Sequence, residues 1–120
     1  MSSANQIAAV TIHVSEVTTA LTWYARAFPQ AIRKKLAMPT FEFEYLDVDG
    51  VMLELVPADE KVSSGASGSV VYWQVPDFDQ ALAHFQSIGA TLYRGPGEIE
   101  ASQHMCRVKD PWGNCIGLRG

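Results

Sequence analysis

Cysteine is nearly absent from this chain: Cys106 and Cys115 are the two in 120 residues. Two thiols that close in sequence make no disulfide framework, so a reduced pair in a cytoplasmic setting is expected. Long apolar runs are missing as well. No stretch approaches the roughly 20 residues that a membrane-spanning helix needs. The opening "MSSANQIAAVTIHV" has no basic start, and Thr11 and His13 interrupt its apolar part, so a signal peptide is not expected. Cations are few, with Lys+Arg 9 against Asp+Glu 13 and a net charge of −4. Nucleic acids and anionic membranes are held by many phosphate-facing cations, so neither is expected as a partner. The one basic run, Arg33-Lys34-Lys35, reads as a solvated edge. What remains is globular: 48% hydrophobic and 18% charged residues, in one compact domain with no disordered segment.

That domain says similar things twice. Residues 8–14 read as a strand, and Val17, Leu21, Tyr24 and Phe28 then recur at helical spacing. Ser15 or Glu16 begins this helix and Pro29 ends it. Residues 70–89 repeat the design: the strand "SVVYWQV", Asp77 as N-cap, and a stripe of Phe78, Ala81, Leu82, Phe85 and Ile88 closed by Gly89. Aligning Val14 with Val75 superposes the two helices, Tyr24 over Phe85. Strands are predicted at 33–36, 41–48 and 51–56 after the first helix, and at 91–94, 104–108 and 115–118 after the second. Asp49-Gly50 marks a two-residue hairpin. A polar, Gly/Ser-rich linker, residues 57–69, separates module one (about 7–56) from module two (about 70–118).

Two βαβββ modules with the turn "DPWGN" before the last strand resemble the glyoxalase / bleomycin-resistance / extradiol-dioxygenase (vicinal oxygen chelate) superfamily. "VPDFDQALAHFQSIGATL" adds to the likeness, which runs from about Ile7 to Leu118. The resemblance implies an α+β fold in which two modules form a U-shaped, partly open β-barrel around a cavity, with helices outside. It also implies a homodimer.

Metal-dependent members such as glyoxalase I hold an ion with four side chains, one from the first and last strand of each module. Carried across, those positions fall at Ala9, Glu54, Val70 and Gly117. Three of the four have no donor atom, so no metal or other cofactor is expected. A shifted set of His13, Glu54, Gln74 and His104 is the alternative for a divalent metal. Gly117, mid-strand where glycine needs a reason, then reads as a ligand position left empty, widening the cavity.

Strand alternation sets the candidate binding wall. If Ala9 faces the cavity so do Thr11 and His13, and Tyr72 and Gln74 go with Val70. The Asp49-Gly50 turn places Tyr45 opposite Glu54, so Phe41, Phe43 and Tyr45 line the wall with Met52 and Glu54. A one-residue slip would put Glu42 and Glu44 there instead. Trp73 reads as core, Trp112 as a pocket-mouth, dimer or exposed residue, and Cys115 as facing the cavity without activation. Arg107 is left either facing an anion or in solvent. As a buried carboxylate Glu54 needs a partner, with His13, Tyr72 and Gln74 the candidates.

The favoured function is metal-free binding of an apolar or aromatic small molecule through His13, Phe41, Phe43, Tyr45, Met52, Glu54, Tyr72 and Gln74. This resembles the bleomycin-resistance branch, which sequesters a compound without bond chemistry. The acidic balance suits a cationic or neutral guest. The alternative is an enzyme with Glu54 as the catalytic residue: a metal-dependent lyase, isomerase or dioxygenase, or a metal-free one pairing Glu54 with His13 for proton transfer. A purely structural dimeric module is the third reading.

Overall fold

The computed structural model describes residues 6–37 and 39–120; the first five residues of the N-terminal stretch read above lie outside it. The chain divides into two compact units at Val62/Ser63, within the polar linker. Each unit is a βαβββ module with a four-stranded sheet and one helix, so the fold is α+β.

Module one runs β1 (Ala9–Val14), α1 (Val17–Ala27), β2 (Ile32–Ala37), β3 (Glu42–Val48) and β4 (Val51–Pro57). Its sheet order is β1-β4-β3-β2, with β1 parallel to β4 and the other pairs antiparallel. The helix crosses from β1 to the far edge, and two hairpins bring the chain back beside β1. Asp49 and Gly50 both take positive φ (49° and 90°), as a two-residue hairpin of matching twist requires. Asp47 Oδ1 accepts the Gly50 N–H at 2.8 Å and closes that turn.

The helix ends a residue before the expected Phe28, which becomes the C-cap and donates its N–H to the Tyr24 carbonyl at 3.0 Å. Pro29 is the cause, because a residue preceding proline is pushed out of the α region. Glu16 is the N-cap but caps with no side-chain bond. The buried stripe also differs from the predicted one: Ala20, Leu21, Trp23, Tyr24 and Ala27 face inward, while Val17 is half-buried. Against them lie Val14, Leu46, Val48, Leu53 and Leu55 from the same face of the sheet.

Module two runs β5 (Val71–Gln74), α2 (Phe78–Ser87), β6 (Thr91–Glu98), β7 (His104–Lys109) and β8 (Cys115–Arg119), ordered β5-β8-β7-β6. A short 3-10 turn, Glu100–Ser102, separates β6 from β7. Asp77 caps α2 as expected, its Oδ1 accepting from the Gln80 N–H at 3.1 Å. Phe78 and Phe85 drop from the helix onto Cys106, Val108, Ile116 and Leu118. Trp73 shares their side of the sheet through its pairing with Leu118, but it is half-buried rather than enclosed.

The "DPWGN" turn explains its own residues. Asp110 is 3% exposed, and its Oδ1 accepts the N–H groups of Trp112 and Asn114, both at 2.8 Å. Oδ2 accepts from Asn114 Nδ2 at 3.2 Å, and Gly113 takes the positive φ of 89°. Asn114 Oδ1 in turn accepts the Gly65 N–H at 3.0 Å and ties the linker down. The motif is a folding device that delivers β8.

Candidate functional site

Each sheet has one face under its helix and one open face, and the candidate residues lie on the open faces. In module one the parallel register Ala9↔Met52, Thr11↔Glu54 and His13↔Val56 puts Ala9, Thr11 and His13 on the side of Met52 and Glu54. The hairpin register Asp47↔Met52 and the β2–β3 pairing Leu36↔Phe43 and Lys34↔Tyr45 bring Phe43, Tyr45, Leu36 and Lys34 to the same side. A cavity of about 260 Å³ opens there, lined by Leu36, Phe41, Phe43, Met52 and Glu54. Tyr45 stacks on Phe43, ring centroids 6.2 Å apart and planes 22° from parallel, which steadies that wall. Leu36 escaped the sequence reading because β2 looked only like a charged edge. His13 sits half-buried at the end of β1, on the open face but outside this cavity's lining.

Glu54 Oε1 accepts a hydrogen bond from Thr11 Oγ1 at 2.8 Å. Thr11 therefore replaces the three partners expected from sequence. The register makes Thr11 the direct neighbour of Glu54, whereas His13 sits two residues further along β1. Among the described residues no cation pairs with Glu54. The carboxylate thus keeps acceptor capacity toward the cavity.

Elsewhere in this sheet the charges are matched. Arg33 meets Glu44 at 3.1 Å, Lys34 meets Asp47 at 3.1 Å, and Lys35 meets Glu42 at 3.8 Å. Glu42 and Glu44 are thus occupied by β2, and the basic run is an exposed edge strand fenced with charge. The Lys34 ammonium hydrogen-bonds the Asp47 carboxyl and holds it below the ordinary carboxylate range, helped by the Gly50 N–H; the same bond raises Lys34.

Module two places Tyr72, Gly117 and Arg107 side by side across β5, β8 and β7. Gly117 is not an empty ligand position that widens a cavity. A Cβ there would lie 2.5 Å from Tyr72 Cδ2 and 2.6 Å from its Cγ, so the tyrosine ring already fills that space. Glycine lets the ring lie across β8 until its hydroxyl accepts from Arg107 Nε at 2.8 Å. Arg107 accordingly points to the open face, where it is half-buried.

Sequence reasoning also missed Arg94. The β6–β7 register goes from Leu92↔Val108 to Arg94↔Arg107 and then to Gly97↔Met105, each step inserting an extra residue in β6. Simple alternation would bring Tyr93 opposite Arg107; the first bulge brings Arg94 instead. The available signal was "GPG" at residues 95–97, because Gly and Pro inside a strand mark bulges. Gly95 has φ +81°, and a Cβ on it would come within 2.9 Å of the Met105 carbonyl oxygen. A cavity of about 340 Å³ lies here, lined by Tyr72, Arg94, Gly95, Gly97, Met105, Cys106 and Arg107.

The remaining candidates bear on chemistry. Val70 precedes β5 and Ala9 lies on β1, neither with a donor atom, and an aromatic ring covers Gly117. His104 takes the helix side of β7, its ring 5.7 Å from that of Phe78. Gln74 is exposed at the end of β5, opposite Arg119. Among the described residues, no three His, Cys, Asp or Glu side chains gather where they could hold a metal ion. The donor set therefore does not fit the four-ligand ion of metal-dependent relatives. Burial raises the thiol pKa of Cys106. It does the same for Cys115 against the opposing pull of Arg107 and Lys109, so neither cysteine is an activated nucleophile. No helix of the described residues is long and apolar enough to cross a membrane.

The duplicated βαβββ architecture with its open-faced sheets is that of a known class. The sequence matches the family model of the Glyoxalase/Bleomycin resistance protein/Dioxygenase superfamily over residues 6–118, and the chain belongs to that superfamily. Among solved structures, a superfamily member from Sphaerobacter thermophilus DSM 20745 is similar with TM-score 0.73 and 20% identity, over 95% of each chain. TnmS3, an antibiotic binding protein from Streptomyces sp. CB03234, aligns with TM-score 0.72 and 20% identity over 98% of this chain and 97% of its own. A superfamily enzyme from Burkholderia phytofirmans PsJN aligns with TM-score 0.71 and 18% identity over 95% and 97%. At these identities the likeness is one of fold. A search of curated proteins finds no match.

Proposed function

We propose that this protein binds a small apolar or aromatic molecule without a resident metal, taking the guest on its open sheet faces. The observation that carries this is the cavity of Leu36, Phe41, Phe43 and Met52 around Glu54. An apolar wall with one oriented polar group is what a small-molecule site needs. Thr11 fixes one carboxylate oxygen and leaves the other for a donor on the guest. His13 and Tyr45 add polar and aromatic groups on the open face of module one, and Tyr72 and Gln74 on that of module two. A structural neighbour is described as an antibiotic binding protein, so the fold can serve small-molecule binding. The protein acts as a homodimer in the cytoplasm, with both thiols reduced.

The test is a calorimetric titration with hits from a screen of aromatic cations and neutral metabolites. Glu54→Gln is expected to weaken binding by about 1 to 3 kcal/mol, the usual cost of losing a charge-assisted bond. Unchanged affinity would remove Glu54 from the site and leave Phe41, Phe43 and Tyr45 to carry it. Elemental analysis finding one transition metal per chain would overturn the metal-free reading. Light scattering reporting a monomer at tens of micromolar would do the same for the dimer.

A further inference from the structure

We propose that the cavity of module two is an oxyanion subsite, which holds the carboxylate or phosphate of a small organic guest between Arg94 and Arg107. The inference deepens the binding reading above and rests on it, since Tyr72 belongs to both.

The charge distribution comes first. The four cations of module two are Arg94, Arg107, Lys109 and Arg119, and all four stand on its sheet. The registers Arg94↔Arg107, Arg107↔Gly117, Lys109↔Cys115 and Tyr72↔Gly117 put Arg94, Arg107 and Lys109 on the open face with Tyr72. Its carboxylates are placed elsewhere: Asp77 caps α2 and Asp79 lies in its first turn, Glu98 ends β6, Glu100 begins the 3-10 turn, and Asp110 is consumed by the "DPWGN" turn. Arg119 takes Glu100 at 3.7 Å. Among the described residues, Arg94, Arg107 and Lys109 have no carboxylate partner.

Two guanidinium groups directly opposite one another on antiparallel strands repel, and like charges in that position destabilise a sheet. Module one shows how a sheet of this kind neutralises its cations, giving each of the three on β2 an acidic partner on β3. Module two instead inserts a bulge that turns Arg94 toward Arg107. The geometry also orients the pair. Tyr72 holds Arg107 through Nε, which leaves the Nη hydrogens for a ligand. Tyr93 lies 6.0 Å from the Arg94 guanidinium carbon and 4.3 Å from Lys109 Nζ, steadying both cations from the side. Gly95 and Gly97 leave the wall free of side chains, while Met105 and Tyr72 provide apolar surface. At about 340 Å³ the cavity has room for one small ring and its anionic group.

The probes are benzoate, phenyl phosphate and the neutral isostere benzamide, titrated into the full chain at low salt and followed by calorimetry and by amide NMR shifts. Benzoate or phenyl phosphate should bind at least tenfold more tightly than benzamide, shift amides of β6 and β7, and weaken as sodium chloride is raised. Whichever of the two anions binds more tightly identifies the group. Arg94→Gln and Arg107→Gln should each weaken the anions about tenfold and leave benzamide unchanged. Tyr72→Phe, which keeps the ring and removes the hydroxyl, should weaken them severalfold. Arg33→Gln, at the paired edge of module one, should have no effect. Equal affinity for benzamide and the anions overturns the oxyanion subsite and leaves small-molecule binding standing. So does wild-type anion affinity in both arginine variants. Failure of all three probes to bind overturns the subsite, while the Glu54 titration with cationic and neutral hits still decides the broader reading.

Discussion

The two modules share an element order but use their sheets differently. Module one is the better packed. Its helix buries five side chains, and Tyr24 at its centre lies between Trp23, edge-on at 4.9 Å, and Phe28, stacked at 6.4 Å. Module two's helix buries only Phe78 and Phe85, and Val71 and Trp73 on the helix side of β5 stay partly exposed. The charges run the other way. Module one's edge cations are matched by neighbouring acids, whereas module two leaves three cations without one. A duplicated unit has thus been divided between holding the fold and presenting charge. The bulged strand β6, exposed along its length, is where module two gave up regularity.

The largest test of this asymmetry compares equivalent aromatics. Tyr24 (1% exposed) and Phe85 (2% exposed) occupy matching helix positions, and truncating either to alanine should cost about 3 to 5 kcal/mol in chemical denaturation. Tyr24→Ala should cost more, because it also removes two ring contacts. An equal or larger loss for Phe85→Ala would break the claim that module one is the firmer half.

Gly117→Ala comes next. The added methyl runs into the base of the Tyr72 ring, so about 1 to 3 kcal/mol should be lost through overpacking. Tyr72→Ala should rescue it, and the double-mutant cycle should show clear coupling between the two positions. Additive losses would mean that the ring does not need the glycine.

The smallest effect separates the modules by pH. The carboxyl of Asp47 is held below its unfolded range, so its contribution is present above about pH 4 and is lost as pH falls through the folded value. Lys34 is raised, so its share is present below about pH 10 and disappears as pH rises through the folded value. The pair is exposed and salt should weaken it further. Asp47→Asn should flatten the acid limb of the stability curve slightly. Arg107→Gln should leave that limb unchanged, because Arg107 bonds a tyrosine hydroxyl rather than a carboxylate. An acid limb that responds to Arg107→Gln would contradict this division.

Much of this was legible along the chain. Helical spacing, the Asp49-Gly50 and "DPWGN" turns and the Asp77 cap act locally, so the sequence determines two βαβββ modules without reference to anything distant. Strand alternation follows from the hairpin, which is why the sequence alone groups Phe41, Phe43, Met52 and Glu54. The sequence likewise determines the loss of donor atoms at Ala9, Val70 and Gly117. Other features depend on which strand lies beside which. Thr11 became the partner of Glu54 through a parallel pairing of residues 43 positions apart. Tyr72 reached across Gly117 to Arg107 because β8 runs between their strands. Above all, two inserted residues in β6 broke the alternation on which sequence reading relies, and the first of them turned Arg94 to face Arg107. Alternation is a local rule, whereas a bulge is defined only against its partner strand, so tertiary pairing decided where the charge of module two would point.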